Sequence, residues 1–341
     1  MTITLTHPEW NQETSGLQVA KAFGDQIRGK NVLITGVSPE SIGSSTAVAV
    51  ASQNPSLLVL ASRTQSKLDE VVKQIRDAYS DVKVKTVLLD LMSQEAVKKA
   101  AADVAKLTDS LDIIINNAGI MSPKKLWTAE GIEGQFGSNH IGHFLFTNLL
   151  MSQLLNAAKT NPPGATRVVN LTSLGHRLSP VRFHDYNFDG SPIPDEEKHP
   201  ENLPPLFLKT LEGEGTYNGY IAYGQAKSAN ILYSIGLNSR LNKEGIVSYS
   251  VHPGSIWTGL SRDLDADGEA AIRNTSPFWK NQDQGSATTL VAALDPALNK
   301  PQGILLHDCQ VIEAAPHATD PKIADRLWAL SEKLVKREFK L

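Results

Sequence analysis

Short apolar runs that alternate with longer amphipathic stretches constrain the fold of this chain more than any other feature. Helical patterns such as SKLDEVVKQIRDAY (66–79) and SQEAVKKAAADVAKL (93–107) separate most of these runs. Apolar strands joined by helices indicate a parallel sheet covered on both faces. The sequence therefore predicts an α/β fold with a doubly wound sheet, whose ligands bind beyond the carboxyl ends of the strands. The runs are NVLIT (31–35), SLLVLAS (56–62), VKVKTVLLD (82–90), LDIIIN (111–116), TRVVNLT (166–172), IVSYSVH (246–252) and GILLH (303–307), which predicts about seven strands.

The composition excludes several classes of function. A net charge of -3 gives no basic excess that nucleic acid or anionic lipid would attract. The single cysteine, Cys309, rules out an internal disulfide and metal sites built from several cysteines. No apolar run approaches the roughly 20 residues of a membrane span, and the first 30 residues lack the pattern of a signal peptide. We therefore expect a cytoplasmic protein with no metal ion, no nucleic-acid partner and no membrane span.

One proline-rich segment interrupts the alternation of strands and helices. Residues 178–220 also contain the acidic patch DEEKH and the glycine-rich stretch GEGTYNGY. A long irregular segment inside a compact domain is usually a functional lid or is disordered. We expect a single domain over residues 29–335, preceded by an N-terminal extension (1–28), with 178–220 as an insertion that could cover a substrate pocket.

The stretch TGVSPESIG (35–43) lies between the first apolar run and a helical pattern, where backbone N–H groups and the helix dipole can receive a pyrophosphate. Gly36 allows a tight turn, and Gly43 allows the helix to pack closely on the strand. Ser41 occupies the position of the middle glycine of such a loop, next to Ile42, and Ser38 lies at its start. An ordinary strand-to-helix turn would show the same pattern, so the loop alone does not establish a cofactor.

The end of the second apolar run, ASRT (61–64), bears on the choice of cofactor. An acidic residue at this place would accept the ribose 2′-hydroxyl of NAD, whereas Arg63 beside Ser62 suits the 2′-phosphate of NADP. Arg63 could instead only cap the end of the strand. Glu40 acts against NADP, because a carboxylate near the phosphate would weaken binding. On balance the sequence predicts a Rossmann-type site for NADP(H).

Residue types suited to proton transfer follow the later strands. The motif YGQAK places Tyr223 and Lys227 four residues apart, on one face of a helix. Asn117 of NNAG follows the fourth run, and Asn139 lies 22 residues further along. Ser173 ends the fifth run, and HPGSIWT ends the sixth. Because the carboxyl ends of parallel strands share one edge of a sheet, we expect these residues to meet in one crevice.

These motifs resemble the short-chain dehydrogenase/reductase family over residues 29–335. The branch of retinol dehydrogenases and WW-domain oxidoreductases is the most similar. In the family the glycine loop reads TG-x-x-x-G-I-G, so this chain has one additional residue and a serine in place of the middle glycine. The motifs shared with that branch are NHIGHFLFTNLL (139–150), SLGHR (173–177), FHDYNF (183–188), AYGQAKSANILYS (222–234) and RLWALSEKLV (326–335).

The resemblance implies an NADP(H)-dependent oxidoreductase that interconverts a carbonyl and an alcohol on an apolar small molecule, working as a reductase. It implies a catalytic tetrad of Asn139, Ser173, Tyr223 and Lys227. Tyr223 would be the general acid or base, Ser173 would hold the substrate oxygen, and Lys227 would lower the pKa of Tyr223 and hold the ribose, with Asn139 positioning it through water. The cofactor contacts expected are Gly36, Ser38, Ser41, Ile42, Gly43, Ser62, Arg63, Asp90, Leu91, Asn117, Ala118, Gly119, Tyr223, Lys227, Pro253, Gly254, Ile256 and Thr258.

Several alternatives stay open. His176 and Trp257 are candidates for substrate contact, although each could simply fill the core. A non-redox isomerase or lyase on the same scaffold, or an NADP(H)-binding sensor without turnover, would share the cofactor motif. A tailoring reductase of secondary metabolism fits the pattern without any residue that requires it. A homodimer through the helices carrying Asn139 and Tyr223 is expected, but the apolar run IGHFLFTNLLMSQLL (141–155) would also suit a helix that faces the core.

Overall fold

An eight-stranded sheet forms the centre of the protein. The computed structural model describes residues 4–210, 213, 215–261, 269, 272–273, 276–301 and 303–340. Its strands are β1 (Asn31–Thr35), β2 (Leu57–Ser62), β3 (Val84–Leu88), β4 (Ile113–Asn116), β5 (Thr166–Leu171), β6 (Ile246–His252), β7 (Leu305–His307) and β8 (Gln310–Ile312). Their order is β3-β2-β1-β4-β5-β6-β7-β8. Neighbours from β3 to β7 pair in parallel, and β8 pairs with β7 in the antiparallel sense.

The predicted doubly wound sheet is confirmed. Each of the seven apolar runs contains one strand, two with the predicted bounds and five shorter by one to four residues. The strand that sequence reasoning missed is β8, which has only three residues, all half-buried. It follows a tight turn in which Asp308 and Cys309 have positive φ angles of 49° and 62°. Such a short, half-buried edge strand has no continuous apolar pattern to reveal it.

Helices cover both faces of the sheet, as the alternating side chains of β1 require. The helices of the described residues are α1 (Gly16–Ala22), α2 (Ile42–Ala51), α3 (Gln65–Ala78), α4 (Gln94–Leu107), α5 (Gly134–Phe136), α6 (His143–Leu149), α7 (Met151–Ala158), α8 (Gly219–Leu241), α9 (Gln282–Leu294) and α10 (Pro321–Val335). Val32 and Ile34 belong to a buried cluster with α1, α2, α3 and α9, whereas Leu33 packs with α4, α6, α8 and α10 on the other face. A π-helical turn, Gly137–Gly142, joins α5 to α6.

The N-terminal segment packs into the same core as the rest of the domain. Leu5, Trp10, Phe23 and Ile27 are buried in the cluster on the α2 face, and the ring of Trp10 lies 5.5 Å from that of Phe23. Helix α1 contacts α9 and α2. The segment predicted as an N-terminal extension therefore packs against α2 and α9.

The apolar run at 141–155 faces the core of its own chain. Phe144, Leu145, Phe146 and Leu154 are fully buried within a single copy, and Leu149 and Leu155 are half-buried. Of the two alternatives left open by the sequence, the structure shows the core-facing helix. This run therefore offers no exposed apolar face for a homodimer. Among the residues that the structure describes, we also find no helix with the length and hydropathy of a membrane span.

The irregular segment 178–220 is anchored to the body of the domain at several points. The hydroxyl of Tyr217 donates to the Glu133 carboxylate at 2.8 Å, and burial raises the pKa of that carboxyl. Gln225 on α8 accepts from the backbone N–H of Arg182 at 2.9 Å and donates to the carbonyl of Tyr186 at 3.0 Å. The described part of this segment has only short 3₁₀ turns, so side-chain hydrogen bonds hold it against α5 and α8.

The turn after β1 requires glycine on two grounds. Gly36 has a φ of +72°, and a Cβ atom added there would lie 2.5 Å from Cα of Ala118. Gly29 has a similar φ of +76°, but an added Cβ would meet no atom within 4 Å. Substitution of Gly29 therefore introduces only the strain of a left-handed backbone, whereas substitution of Gly36 adds a steric clash with Ala118.

We predict that Gly36→Ala lowers the free energy of unfolding more than Gly29→Ala does. Both changes carry the left-handed strain of about 1–2 kcal/mol, and only the first adds overpacking of about 1–3 kcal/mol against the β4 turn. Urea denaturation of the two variants measures the difference. Equal losses would show that the turn can move away from Ala118 without cost.

Candidate active site

A cavity opens at the carboxyl ends of the parallel strands, on the line where β1 and β4 separate. The residues expected to hold the cofactor converge there from distant parts of the sequence. All of them line the cavity except Gly254 and Ile256. Those lining it are Gly36, Ser38, Ser41, Ile42, Gly43, Ser62, Arg63, Asp90, Leu91, Asn117, Ala118, Gly119, Tyr223, Lys227, Pro253 and Thr258.

The serine in the middle-glycine position caps helix α2. The hydroxyl oxygen of Ser41 accepts from the N–H of Ser44 at 3.1 Å, and the Ser44 hydroxyl oxygen accepts from the N–H of Ser41 at 3.1 Å. The Ser41 hydroxyl also donates to the carbonyl of Ser38 at 2.6 Å. This reciprocal pair is a capping box, which satisfies N–H groups at the start of a helix. Ser41 therefore stabilises the loop from within.

The loop keeps the features that a pyrophosphate needs. The N–H groups of Ile42 and Gly43 make no hydrogen bond within the described part of the chain, so they are free to donate to an anion at the helix N-terminus. A Cβ at Gly43 would lie 2.6 Å from the carbonyl oxygen of Gly36, so only glycine fits. The additional residue bulges away, since Glu40 is exposed with a φ of +54°. The residues present therefore fit a dinucleotide.

Two cations stand at the end of β2. Arg63 follows the strand and Lys67 lies in the first turn of α3, and both are exposed side chains that line the cavity. Neither has an ion pair or hydrogen bond among the described residues. Sequence reasoning found Arg63 and missed Lys67. The signal for Lys67 was its place in the first turn of a helix that begins beside Arg63, because that turn faces the same edge of the sheet.

Tyr223 and Lys227 lie on α8 beside the end of β5. Lys227 Nζ is 5.4 Å from the ring centre of Tyr223 and donates to the carbonyl of Leu171 at 3.1 Å. Ser173, directly after β5, accepts from the N–H of Gly175 at 3.1 Å, and a Cβ at Gly175 would touch the Tyr223 ring at 3.2 Å. Tyr223 and Lys227 therefore line one end of the cavity, and Ser173, which is not part of the lining, lies beside Tyr223.

Burial controls the pKa values of this group. It raises the pKa of Tyr223 to about 12, against the opposite effect of a hydrogen bond with Ser173. It lowers the pKa of Lys227 to about 8. The sequence led us to expect that a nearby ammonium favours the phenolate. In the structure burial dominates the pKa of both groups, because desolvation disfavours the charged form of either one.

Comparison with known proteins gives the family. A model of the short chain dehydrogenases matches residues 30–187. Retinol dehydrogenase 12 of Mus musculus is 33% identical over 310 residues, which cover 91% of this chain and 87% of that protein. The oxidoreductase fscI of Fusarium equiseti is 34% identical over 247 residues, 72% of this chain and 94% of that protein.

The chain belongs to the short-chain dehydrogenase/reductase family. The expected likeness to retinol dehydrogenases is confirmed, and the family consists of oxidoreductases that use a nicotinamide cofactor. The crystal structure of an uncharacterized protein from Mycobacterium paratuberculosis is 25% identical, with a TM-score of 0.64 over 92% of this chain and 96% of that chain. It supports the same fold.

The fourth residue that the family resemblance indicated, Asn139, lies in the π-helical turn. Its side chain holds Ile120 at both ends, accepting from the N–H at 2.8 Å and donating to the carbonyl at 2.9 Å. The backbone carbonyl oxygen of Asn139 accepts from Nδ1 of His143 at 3.1 Å. Nε2 of the same ring accepts from the Thr35 hydroxyl at 2.9 Å. Burial lowers the pKa of His143 to about 4. The ring is therefore neutral at pH 7 and joins this turn to β1.

His176 lies outside the lining of the cavity, behind Ser173. Its ring is buried, Nδ1 donates to the carbonyl of Ser173 at 2.7 Å, and Nε2 accepts from the N–H of Ala315 at 3.0 Å. Burial lowers its pKa to about 4. Both nitrogens are occupied, so neither is free to bind the substrate as the sequence had suggested. The imidazole instead fixes the turn that carries Ser173.

The loop after β6 presents only part of itself to the cavity. Pro253 and Thr258 line it, whereas Gly254 and Ile256 face away, toward Lys280 and α9. Trp257 also lies outside the lining, with its ring centre 5.6 Å from that of Trp279. The motif alone does not resolve which residues of this loop face the cavity. Across the described residues, no three His, Cys, Asp or Glu side chains are grouped to hold a metal ion.

We predict that Ser41→Ala lowers the free energy of unfolding by about 1 kcal/mol, because the N–H of Ser44 loses its acceptor at the helix start. Ser41→Gly, which introduces the glycine typical of the family, should cost only a few tenths of a kcal/mol, since glycine is tolerated at this position. Chemical denaturation of both variants makes the comparison. A larger loss for glycine than for alanine would contradict the capping role.

Proposed function

We propose that this protein is an NADP(H)-dependent carbonyl reductase of apolar small molecules, with Tyr223 as the general acid in reduction and general base in oxidation. The observation that carries the proposal is the placement of Tyr223 and Lys227 in the same cavity as the open N-terminus of α2. One end of this cavity suits the phosphates of a dinucleotide, and the other suits proton transfer to a carbonyl oxygen.

The cofactor would lie along the carboxyl ends of β1 to β6. The N–H groups of Ile42 and Gly43 would donate to the pyrophosphate. Asp90 and Ala118 would flank the adenosine half, while Pro253 would contact the nicotinamide half. When bound, the nicotinamide supplies the hydride to the carbonyl carbon or accepts it from the alcohol.

Arg63 and Lys67 support NADP(H) over NAD(H). A 2′-phosphate placed beyond the end of β2 would meet two cations that have no partner among the described residues. A guanidinium binds phosphate with two parallel N–H groups, and an ammonium adds a compact charge. Glu40, which the sequence suggested would oppose the phosphate, is exposed at the tip of the loop.

Tyr223 has the protonation state that reduction requires. With its pKa raised to about 12, the phenol is protonated at neutral pH and can donate to the substrate oxygen. The Ser173 oxygen accepts from the N–H of Gly175, and its hydroxyl, which pairs with Tyr223, would donate to the substrate oxygen as negative charge develops there. Lys227 would then stabilise the phenolate that forms, and its further N–H groups would hold the ribose hydroxyls.

The nature of the substrate is supported by the relatives and by the surroundings of the site. Retinol dehydrogenases 11 and 12 are among the proteins that this chain resembles at about one-third identity, which favours a bulky apolar carbonyl or alcohol. The segment 178–220 lies against the helix that carries Tyr223, so it would form the lid of the substrate pocket. A cytoplasmic location and a homodimer remain part of the proposal, the latter through a surface other than the run 141–155.

We predict that Tyr223→Phe abolishes carbonyl reduction and leaves NADPH binding within about twofold, because only the proton donor is lost; such groups contribute about 10²–10⁴-fold to rate. Oxidation of NADPH with a panel of bulky ketones and aldehydes, including retinal, measures turnover, and fluorescence titration measures binding.

Tyr233→Phe provides the matched control for that experiment. Tyr233 is also buried on α8, but it lies beside Asn148, outside the cavity lining. Its loss should leave turnover close to that of the unaltered protein. Undiminished turnover in Tyr223→Phe would refute the role of Tyr223 and favour a different proton donor or a different chemistry.

We predict that Arg63→Ala and Lys67→Ala each weaken NADPH binding by about tenfold and NADH binding by less than twofold, because a hydrogen bond to a charged group contributes about 1.5–3 kcal/mol. Isothermal titration with both cofactors tests this. Lys73→Ala, further along α3, is the control and should change neither affinity. Equal losses for NADPH and NADH would exclude a contact with the 2′-phosphate.

A further inference from the structure

We infer that Lys280 and Asp308 form a clamp that positions the nicotinamide half of the cofactor from behind. The clamp acts through residues 253–256, the first part of the loop after β6. Neither residue lines the cavity, so both are positioning residues rather than catalytic ones. The inference rests on the proposed function, because it concerns how that cofactor is held.

The backbone and the stem of Lys280 support the loop directly. Its N–H donates to the carbonyl of Ser255 at 2.9 Å, and it forms a parallel bridge with Ile256. Gly254 has a φ of +102°, and a Cβ added there would lie 2.7 Å from Cδ and Cε of Lys280. The lysine stem therefore fills the space that a side chain on Gly254 would need, and it sets the position of the loop.

The charged end of Lys280 lies against a carboxylate on another part of the sheet, as a close ion pair whose angles do not meet those of a hydrogen bond. Nζ lies 2.7 Å from Oδ1 of Asp308, and the lysine side chain is only 3% exposed. Asp308 is in the turn between β7 and β8 and also lies 3.2 Å from Nε2 of His307. The next residue, Cys309, donates its N–H to the hydroxyl of Thr288 on α9 at 3.1 Å. The carboxylate therefore sits on a turn that α9 holds in place.

This arrangement links the hairpin β7–β8 to the cofactor cavity. Pro253 lines the cavity on the front of the loop, while Gly254 rests on Lys280 behind it. Among the described residues, Asp308 is the one carboxylate paired with Lys280, and a buried cation that loses such a partner is strongly unfavourable and tends to move toward water. Movement of the Lys280 stem would release Gly254, and the front of the loop would move with it. The adenosine end of the cavity, at the ends of β2 and β3, would not be affected.

The test uses two ligands that differ only in the nicotinamide group. NADP⁺ contains it, and 2′-phospho-ADP-ribose lacks it, so only the first depends on the loop. Lys280→Met keeps most of the stem against Gly254 and removes the charge. Asp308→Asn removes the opposite charge, and asparagine tolerates the φ of +49° at that position. Lys30→Met is the control. Nζ of Lys30 lies 3.4 Å from Oδ1 of Asp112, at the amino ends of β1 and β4 and therefore on the side of the sheet away from the cavity.

We expect Lys280→Met and Asp308→Asn each to weaken NADP⁺ binding by roughly fivefold or more, the scale on which residues in direct contact couple. Binding of 2′-phospho-ADP-ribose should stay within about twofold in all variants, and the double variant should lose less than the product of the single losses. The fluorescence of bound NADPH, which reports the surroundings of the nicotinamide, should also shift toward that of free NADPH. Thermal unfolding shows which variants are folded, and Asp308→Asn alone suffices for the test.

Three results would contradict the inference. Equal weakening of both ligands would indicate a general structural role, and unchanged NADP⁺ binding would show that the loop holds its position without the clamp. The same loss in Lys30→Met would point to ion pairs in general. If the unaltered protein bound neither ligand, the proposed function itself would be wrong, and the clamp would have no cofactor to position.

Discussion

The close contact between the turns that follow β1 and β4 is the constraint on which the rest of the site depends. The chain leaves β1 in one direction and β4 in the other, so a crevice opens between them at the point where the strand order reverses. Gly36 lies against Ala118 and Gly43 against Gly36, at distances that leave no room for a Cβ. The side-chain amide of Asn117 donates to the carbonyl of Thr35 at 2.8 Å and joins the two turns. These close contacts bring the N-terminus of α2, with its free N–H groups, to the carboxyl ends of the strands.

The polar groups around the crevice divide into those that build it and those that remain available. Asn139 and His143 use their polar atoms on backbone and hydroxyl partners, as does His176 behind Ser173. Such groups are satisfied within the protein, as buried polar atoms must be. Arg63 and the N–H of Ile42 lie on the open side without partners among the described residues. The paired groups hold the site in shape, whereas the unpaired ones form its binding surface. Several polar residues near Tyr223 are therefore structural.

Burial sets the pKa values of Tyr223 and Lys227. A phenol and an ammonium in the same water-excluding pocket both shift toward their neutral forms. The phenol stays protonated at neutral pH. The pKa of Lys227, about 8, lies close to neutral pH. A positive charge brought into this pocket by an oxidised nicotinamide would favour the phenolate. The pocket thus links proton transfer to the redox state of the cofactor that we propose.

The sequence by itself was enough to locate most of the fold and most of the cavity. Long apolar runs predicted β1 to β7 because buried parallel strands need apolar residues on both faces. Residues directly after those runs, such as Gly36 and Asn117, line one cavity because the carboxyl ends of parallel strands share one side of the sheet. The family motif then added Tyr223 and Lys227. β8 was missed because three half-buried residues carry no pattern, and Lys67 was missed because no motif included it.

Only the tertiary structure decided which way individual side chains point and what they contact. His176 is occupied by the backbone, Ile256 faces α9, and Lys280, distant in sequence from every motif, supports Gly254 from behind. The sequence likewise left open whether the run 141–155 was a core helix or a surface, and packing made it core. The physical reason is that strand periodicity reports burial along one element, whereas contacts between distant elements depend on how closely their backbones approach.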